Sequence, residues 1–244
     1  MRKIKVGISI DEILRAKWLQ FDRYYVQEFG EDGVPDNPYV YDFFNNYKFN
    51  DIVEKIKELK EPEDTPDDIN PIYYEVDKKT GEAPADVFLF KKEQEVKLNA
   101  KEVYNRFMYE DFLFEIHGAA PAMYKNIDLD INKLIKKYES RVDFHVLSVE
   151  NWFTIPPTLF FLSKISCRFK NYRFVDKSMD MWNDIDVLIT SDPVILELGV
   201  PWGKKLIKVN RPYNENIKKC SFEIIQIKEL IDNPQFEKII KYKK

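Results

Sequence analysis

The sequence has 244 residues, of which 44% are hydrophobic and 33% are charged, enough for one globular domain with a modest insertion. Its 38 basic and 42 acidic residues give a net charge of -4, so no basic excess supports general binding to DNA or RNA. Only 7 residues are glycine, and neither a G-x-G-x-x-G nor a Walker A pattern occurs. These features argue against a glycine-rich phosphate loop.

Other sequence features indicate where in the cell the protein lies and which kinds of site it lacks. The N-terminal apolar run is short and contains Lys5, so it predicts neither a signal peptide nor a membrane span. Cys167 and Cys220 are expected to be reduced thiols. His117 and His145 have no Cys or His partner at metal-ligand spacing, so we expect no zinc site. The sequence therefore favours a protein that lies in the cytoplasm of a cell, or inside a virion in the case of a viral protein, and that has no membrane partner.

The N-terminal segment predicts a buried strand followed by two helices. An Ile- and Val-rich run at 3–10 is typical of a buried parallel strand. Apolar residues then recur at steps of three and four as far as Phe29, which predicts an amphipathic helix that ends at Gly30. A shorter helix is expected from about Asn50, its cap, to Leu59.

An irregular insertion follows these helices. The segment 58–71 is rich in acidic residues and proline, so it predicts a surface loop. The β-prone runs 72–76 and 87–90 flank a glycine-containing turn, a pattern typical of a β-hairpin. A further helix is expected to carry Tyr104, Phe107 and Phe112.

The second half of the sequence alternates strands with helices. Strands are predicted at 143–147, 172–175, 186–189, 205–209 and 222–225, and helices at 130–138, 159–169, 194–198 and after an Asn233 cap. This alternation predicts an α/β fold with a parallel sheet flanked by helices. Ligands bind such sheets at the carboxyl ends of the strands, so we expect the functional residues there.

The strand ends carry short motifs in a characteristic order. They are Ser9-Ile-Asp11-Glu12, Phe144-His-Val-Leu-Ser148, Lys177 and Asp186-Val-Leu-Ile-Thr190-Ser191-Asp192-Pro193, followed by Pro212-Tyr-Asn214. This set resembles the haloacid dehalogenase (HAD) superfamily, most closely its 5'(3')-deoxyribonucleotidase branch. The resemblance implies a HAD-like, Rossmannoid core at 1–33 and 103–244, and an inserted cap with the acidic loop and hairpin at 34–102.

Departures from the family pattern bear directly on activity. The family's first strand ends in D-x-D-G, where the first Asp is the nucleophile and binds Mg²⁺ together with an acidic residue after the fourth strand. This sequence has Ser9 at the nucleophile position, Thr190 and Ser191 at the fourth-strand position, and Glu12 in place of the glycine. A serine hydroxyl lacks the charge of a carboxylate. We therefore assign no catalytic residue and expect no cofactor.

Asp11, Ser148 and Lys177 are the residues that still match the family pattern. Structural roles explain Asp11 and Lys177 without any catalytic activity. Asp11 is expected to cap the helix that follows it, with Glu12 in the first helical turn and Lys177 forming a salt bridge to Asp11. His117 is expected to be a hydrogen-bonded turn residue, and His145 to lie within a strand.

The resulting hypothesis is a catalytically inactive HAD-like protein that serves as a structural or protein-interaction module in a larger assembly or oligomer. A composition rich in Lys, Asn, Ile, Tyr and Phe favours a bacteriophage origin, and hence a virion component. Two alternatives stay open. One is a Mg²⁺-dependent phosphohydrolase with a rearranged site that uses Asp11 and Asp192. The other is a nucleotide-binding regulator without turnover that depends on Lys177.

Overall fold

The structure is a computed structural model that describes residues 2–31, 34, 43–60 and 99–241. The predicted acidic loop and β-hairpin fall outside the described residues. Within the described ranges, no helix combines the length and apolar character that crossing a membrane requires.

A six-stranded parallel sheet forms the centre of the molecule. Its strands are β1 (Ile4–Ser9), β2 (Val142–Val149), β3 (Asn171–Val175), β4 (Val187–Thr190), β5 (Lys205–Val209) and β6 (Phe222–Ile224). Their spatial order is β3-β2-β1-β4-β5-β6, and every neighbouring pair is parallel. All six predicted strands occur within two residues of their predicted ends. The α/β class is confirmed, and the order is the 3-2-1-4-5-6 arrangement of doubly wound folds.

Helices cover the sheet and the carboxyl ends of its strands. They are α1 (Lys17–Phe29), α2 (Phe43–Asn46), α3 (Phe49–Lys60), α4 (Ala100–Arg106), α5 (Leu113–His117), α6 (Ile127–Tyr138), α7 (Ile155–Lys164), α8 (Pro193–Leu198) and α9 (Pro234–Lys241), with a π-helical turn at Phe107–Asp111 between α4 and α5. Short 3-10 turns lie at Ser178–Trp182, Pro212–Asn214 and Ile227–Leu230.

Three helix predictions need correction, and one is confirmed in detail. Asn50 is not the cap of α3, because this helix already begins at Phe49. The helix predicted at 159–169 begins at Ile155 instead, because prolines at its first positions favour helix initiation there. The first helix begins only at Lys17, after a tight loop. The Asn233 cap is confirmed, since its Oδ1 accepts hydrogen bonds from the backbone N–H groups of Gln235 (2.8 Å) and Phe236 (3.1 Å).

The core lies on both faces of the sheet because successive strand residues point to opposite sides. In β4, Val187 and Ile189 pack in the larger cluster with α6, α7 and α9, whereas Leu188 packs in a smaller cluster on the other face. Gly7 in β1 points toward that smaller cluster, where an added Cβ would come within 2.4 Å of Leu147 Cδ1. The glycine therefore permits close packing.

An aromatic cluster joins the helices above the sheet. It combines Phe21 and Tyr25 of α1 with Phe49 of α3 and Phe107 of the π-helical turn, and all four rings are buried. Packing thus groups α1 with the helices of the insertion, whereas the sequence-based boundaries place α1 in the core domain. The division at 33/34 and 102/103 stays a prediction.

Candidate active site

A cavity of about 310 Å³ opens at the carboxyl ends of β1, β2 and β4, beneath the aromatic cluster. The predicted site residues that line it are Ser9, Asp11, Ser148, Thr190 and Asp192. On the other side, the helices contribute aromatic rings to its wall. Five residues from three neighbouring strand ends therefore lie around one cavity.

Two further predicted site residues lie outside this lining. Lys177 precedes the 3-10 turn at Ser178–Trp182. Ser191 is buried beside the cavity, where its hydroxyl donates to the backbone carbonyl of Asp11 over 3.2 Å. Ser191 therefore holds the loop after β1 in position.

Asp11 is engaged by two cations of its own loop. Its Oδ1 accepts from Arg15 Nε at 2.6 Å and contacts Arg15 Nη2 at 2.5 Å, and its Oδ2 accepts from Lys17 Nζ at 3.2 Å. Burial alone would raise the pKa of Asp11, but the charges and hydrogen bonds of Arg15 and Lys17 outweigh it and lower this pKa.

Two predictions about Asp11 are wrong. It is not the N-cap of α1, because Ala16 occupies that position. Its ion pairs are with Arg15 and Lys17, and among the described residues no ion pair joins it to Lys177. The tight loop explains both results, since it brings Arg15 in the loop and Lys17 at the start of α1 to the carboxylate.

Arg15 connects Asp11 to a buried polar network. Its guanidinium has no exposed surface; it donates to the His117 carbonyl (2.6 Å), to Thr158 Oγ1 (2.8 Å) and to Glu150 Oε1 (3.0 Å). The network therefore ties the loop after β1 to β2, α5 and α7.

Glu150 also draws a predicted site residue into this network. Its Oε1 accepts from the hydroxyls of Ser148 and Thr158, each at 2.9 Å. The Ser148 hydroxyl is thus turned toward Glu150. Sequence reasoning missed Arg15 and Glu150, although the i, i+4 spacing of Asp11 and Arg15 is a recognisable ion-pair signal.

Ser9 differs from its neighbours because its hydroxyl has no partner. The residue is only 7% exposed, and within the described part of the chain Ser9 Oγ forms no hydrogen bond. Buried polar groups are normally paired, so an unpaired hydroxyl that lines a cavity indicates a place for a ligand or water.

Asp192 and Thr190 hold the start of α8. Asp192 Oδ1 accepts from the Val194 backbone N–H at 2.8 Å, so this carboxylate is the N-cap. The Thr190 hydroxyl accepts from the Asp192 backbone N–H at 3.1 Å. Burial raises the pKa of Asp192, with smaller opposing effects from its hydrogen bonds.

Glu12 does not lie in the first helical turn, contrary to the prediction. It is 6% exposed, has a positive φ of 57°, and its Oε1 accepts from the Trp18 backbone N–H at 2.9 Å. Its side chain therefore caps α1 from outside the helix. The resembled family has glycine at this position, where a positive φ favours glycine. Burial raises the pKa of Glu12 to about 7.

His117 is buried at the end of α5 instead of being a hydrogen-bonded turn residue. Neither ring nitrogen has a hydrogen-bond partner among the described residues, and Nδ1 lies 3.9 Å from Glu150 Oε2. Burial, followed by the charges of Lys17 and Arg15, lowers the pKa of His117 well below its ordinary value. His145 lies in β2 as predicted, and its Nε2 is 3.2 Å from Asp143 Oδ2.

The residues at the strand ends do not fit a magnesium ion. Magnesium prefers carboxylate oxygens and water. Ser9, Thr190 and Ser191 are neutral, and both carboxylate oxygens of Asp11 already contact cations. Asp192 is the one further carboxylate of the described lining, and its Oδ1 is engaged as the N-cap of α8. Among the described residues, no group of three His, Cys, Asp or Glu side chains is placed to hold a metal ion.

Comparison with known proteins gives structural likenesses only. No family model matches the sequence, and no curated protein sequence matches it. A haloacid dehalogenase-like hydrolase from Burkholderia xenovorans LB400 has 10% sequence identity and a TM-score of 0.49, with 96% of this chain and 97% of that chain covered.

Two other solved structures are similar in the same way. The HAD-hydrolase YfnB from Bacillus subtilis, bound to magnesium, has 11% identity and a TM-score of 0.44 over 94% of this chain and 97% of its own. A haloacid dehalogenase-like family hydrolase from Xanthomonas campestris has 10% identity and a TM-score of 0.39 over 95% of this chain and 94% of its own. A function for this chain therefore has to be inferred from its own residues.

Proposed function

We propose that this chain is a HAD-like protein that does not hydrolyse phosphate esters and that it serves as a structural or protein-interaction module. The order of the strand-end motifs and the 3-2-1-4-5-6 sheet support the HAD-like assignment. One observation is the main support for the absence of phosphate-ester hydrolysis: Arg15 and Lys17 neutralise the carboxylate of Asp11.

The nucleophile position supports the same proposal. Phosphoryl transfer through a covalent intermediate needs an activated nucleophile, and a serine hydroxyl needs an adjacent base to remove its proton. Ser9 Oγ has no hydrogen-bond partner within the described ranges, so no base there is placed to activate it. The hydroxyl of Ser148 is directed to Glu150, whose Oε1 is already shared with Arg15.

Exposed aromatic side chains support an interaction role. Trp202 is fully exposed and Trp152 is 81% exposed, and Leu198, the last residue of α8, is also exposed. Tryptophan is enriched among the residues that dominate protein–protein binding. We propose that exposed side chains such as these contact a protein partner, and that the assembly is a bacteriophage particle. Mass spectrometry of purified particles tests the second point, since absence of the chain would overturn it.

The Mg²⁺-dependent phosphohydrolase is the second candidate because Asp11 and Asp192 line the same cavity. The two candidates differ in turnover of p-nitrophenyl phosphate and dUMP, measured with and without Mg²⁺. We expect no rate above that of buffer for the wild-type protein in either condition.

The controls separate real turnover from contamination. Asp11→Asn removes one of the two carboxylates in the described cavity lining, and Asp51→Asn changes an exposed acid on α3. A Mg²⁺-dependent rate that Asp11→Asn abolishes and Asp51→Asn retains would establish the phosphohydrolase and overturn the proposal. A rate unchanged in both variants would come from a contaminating enzyme.

A further inference from the structure

We propose that the cavity above β1, β2 and β4 binds an uncharged aromatic ligand that carries an amide or carbonyl group. The inference rests on the proposed function, because the ligand is held without being transformed. It is argued from three features of the cavity: an unpaired hydroxyl, the balance of charges, and the aromatic wall.

The first feature is the Ser9 hydroxyl on the cavity floor. Ser9 is more than nine-tenths buried, lines the cavity, and has no hydrogen-bond partner within the described part of the chain. A hydroxyl can both donate and accept, so it pairs equally well with a carbonyl oxygen or an amide N–H. A ligand that supplies either group satisfies a polar atom that is otherwise buried without a partner.

The second feature is the charge balance around the floor. The carboxylates of Asp11 and Glu150 are compensated by Arg15 and Lys17, which leaves neither cation free for an anionic ligand. Asp192 adds a further acidic group to the lining. An anion placed here would lose its hydration and face carboxylates, whereas a neutral ligand avoids this cost.

The third feature is the wall opposite the strand ends. Phe43, Tyr104 and Tyr109 line the cavity from the helices, together with Met108. Tyr109 is held by ring contacts to His117 at 6.1 Å and Phe153 at 5.4 Å between centroids. Such rings favour an aromatic ligand through offset or edge-to-face contacts. The cavity volume of about 310 Å³ suits a small molecule.

Three phenyl compounds of similar shape and different charge test this inference. Benzamide is neutral, benzoate has one negative charge, and phenyl phosphate has more. Saturation-transfer NMR and competition titrations with the full chain should show benzamide binding, with benzoate and phenyl phosphate weaker by about tenfold or more, as expected for an uncompensated charge. The same samples report any hydrolysis of phenyl phosphate.

Variants at Ser9 locate the binding. Ser9→Ala removes the hydroxyl and should weaken benzamide binding about fivefold, whereas Ser9→Val fills part of the cavity and should abolish it. Ser163→Ala removes an exposed hydroxyl on α7 and should leave binding unchanged. Circular dichroism and thermal unfolding verify that each variant is folded.

The binding results either support or overturn the proposed neutral aromatic ligand. Benzamide binding that responds to both Ser9 variants supports it. Absence of binding, binding that Ser9→Val leaves intact, or preference for phenyl phosphate would overturn it. Hydrolysis of phenyl phosphate would instead overturn the proposed function, so failures of the two proposals are distinguishable.

Discussion

Replacing Arg15 with methionine is expected to lower the free energy of unfolding by about 3–5 kcal/mol. The guanidinium is completely buried and pairs with both Asp11 and Glu150. Methionine occupies a similar volume but leaves two carboxylates without this cation. Urea unfolding monitored by circular dichroism measures the change, and the slope of the unfolding curve verifies that the two proteins unfold in the same way.

A matched control and a double variant sharpen this prediction. Arg106→Met removes an arginine from an exposed ion pair with Asp111 and should cost less than about 1 kcal/mol. In a Glu150→Gln background, Arg15→Met should lower the free energy of unfolding by less, because only the Asp11 carboxylate is then left without the Arg15 cation. A cost for Arg15→Met as small as that of Arg106→Met would contradict the role of this network.

Glu12 is expected to make stability depend on pH. Its pKa is raised to about 7 in the folded protein, mainly by burial, from an ordinary value of 4.5. Between pH 4.5 and pH 7 the folded state therefore keeps a proton that the unfolded state releases. Stability falls as pH rises through this window, by about 3 kcal/mol in total, and stays lower above pH 7.

Glu12→Gln isolates this effect because glutamine keeps an oxygen that can accept from the Trp18 N–H. At pH 8 we expect the variant to be more stable than the wild type, by about 1–3 kcal/mol. The difference should disappear near pH 4.5. Urea unfolding across this pH range measures it, with the exposed Glu215→Gln as a control without effect. A wild type as stable as Glu12→Gln at pH 8 would refute the raised pKa.

The sheet could be predicted because each buried parallel strand is a short, continuous apolar run. The placement of Ser9, Asp11, Ser148, Thr190 and Asp192 around one cavity followed from the same reasoning, since all lie at carboxyl ends of adjacent strands. These predictions needed only local sequence and one rule about parallel sheets.

The pairing of the site residues could not be predicted in the same way. Arg15 and Glu150 are 135 positions apart, and their contact depends on how the loop after β1 folds against β2. The expected N-cap at Asp11 suggested that α1 starts near Glu12, but the polar network and a positive φ at Glu12 hold the chain in a loop until Lys17. Tertiary electrostatics therefore override the local signal at the site.

Calorimetric titration with Mg²⁺ tests most directly whether Asp11, which pairs with Arg15 and Lys17, is unavailable to a metal ion. We expect no saturable heat at millimolar Mg²⁺ for the wild-type protein, and none for Asp11→Asn. A one-to-one binding curve that Asp11→Asn abolishes and Asp51→Asn retains would contradict the account, because it would show that Asp11 binds the metal ion in spite of its pairing with Arg15 and Lys17.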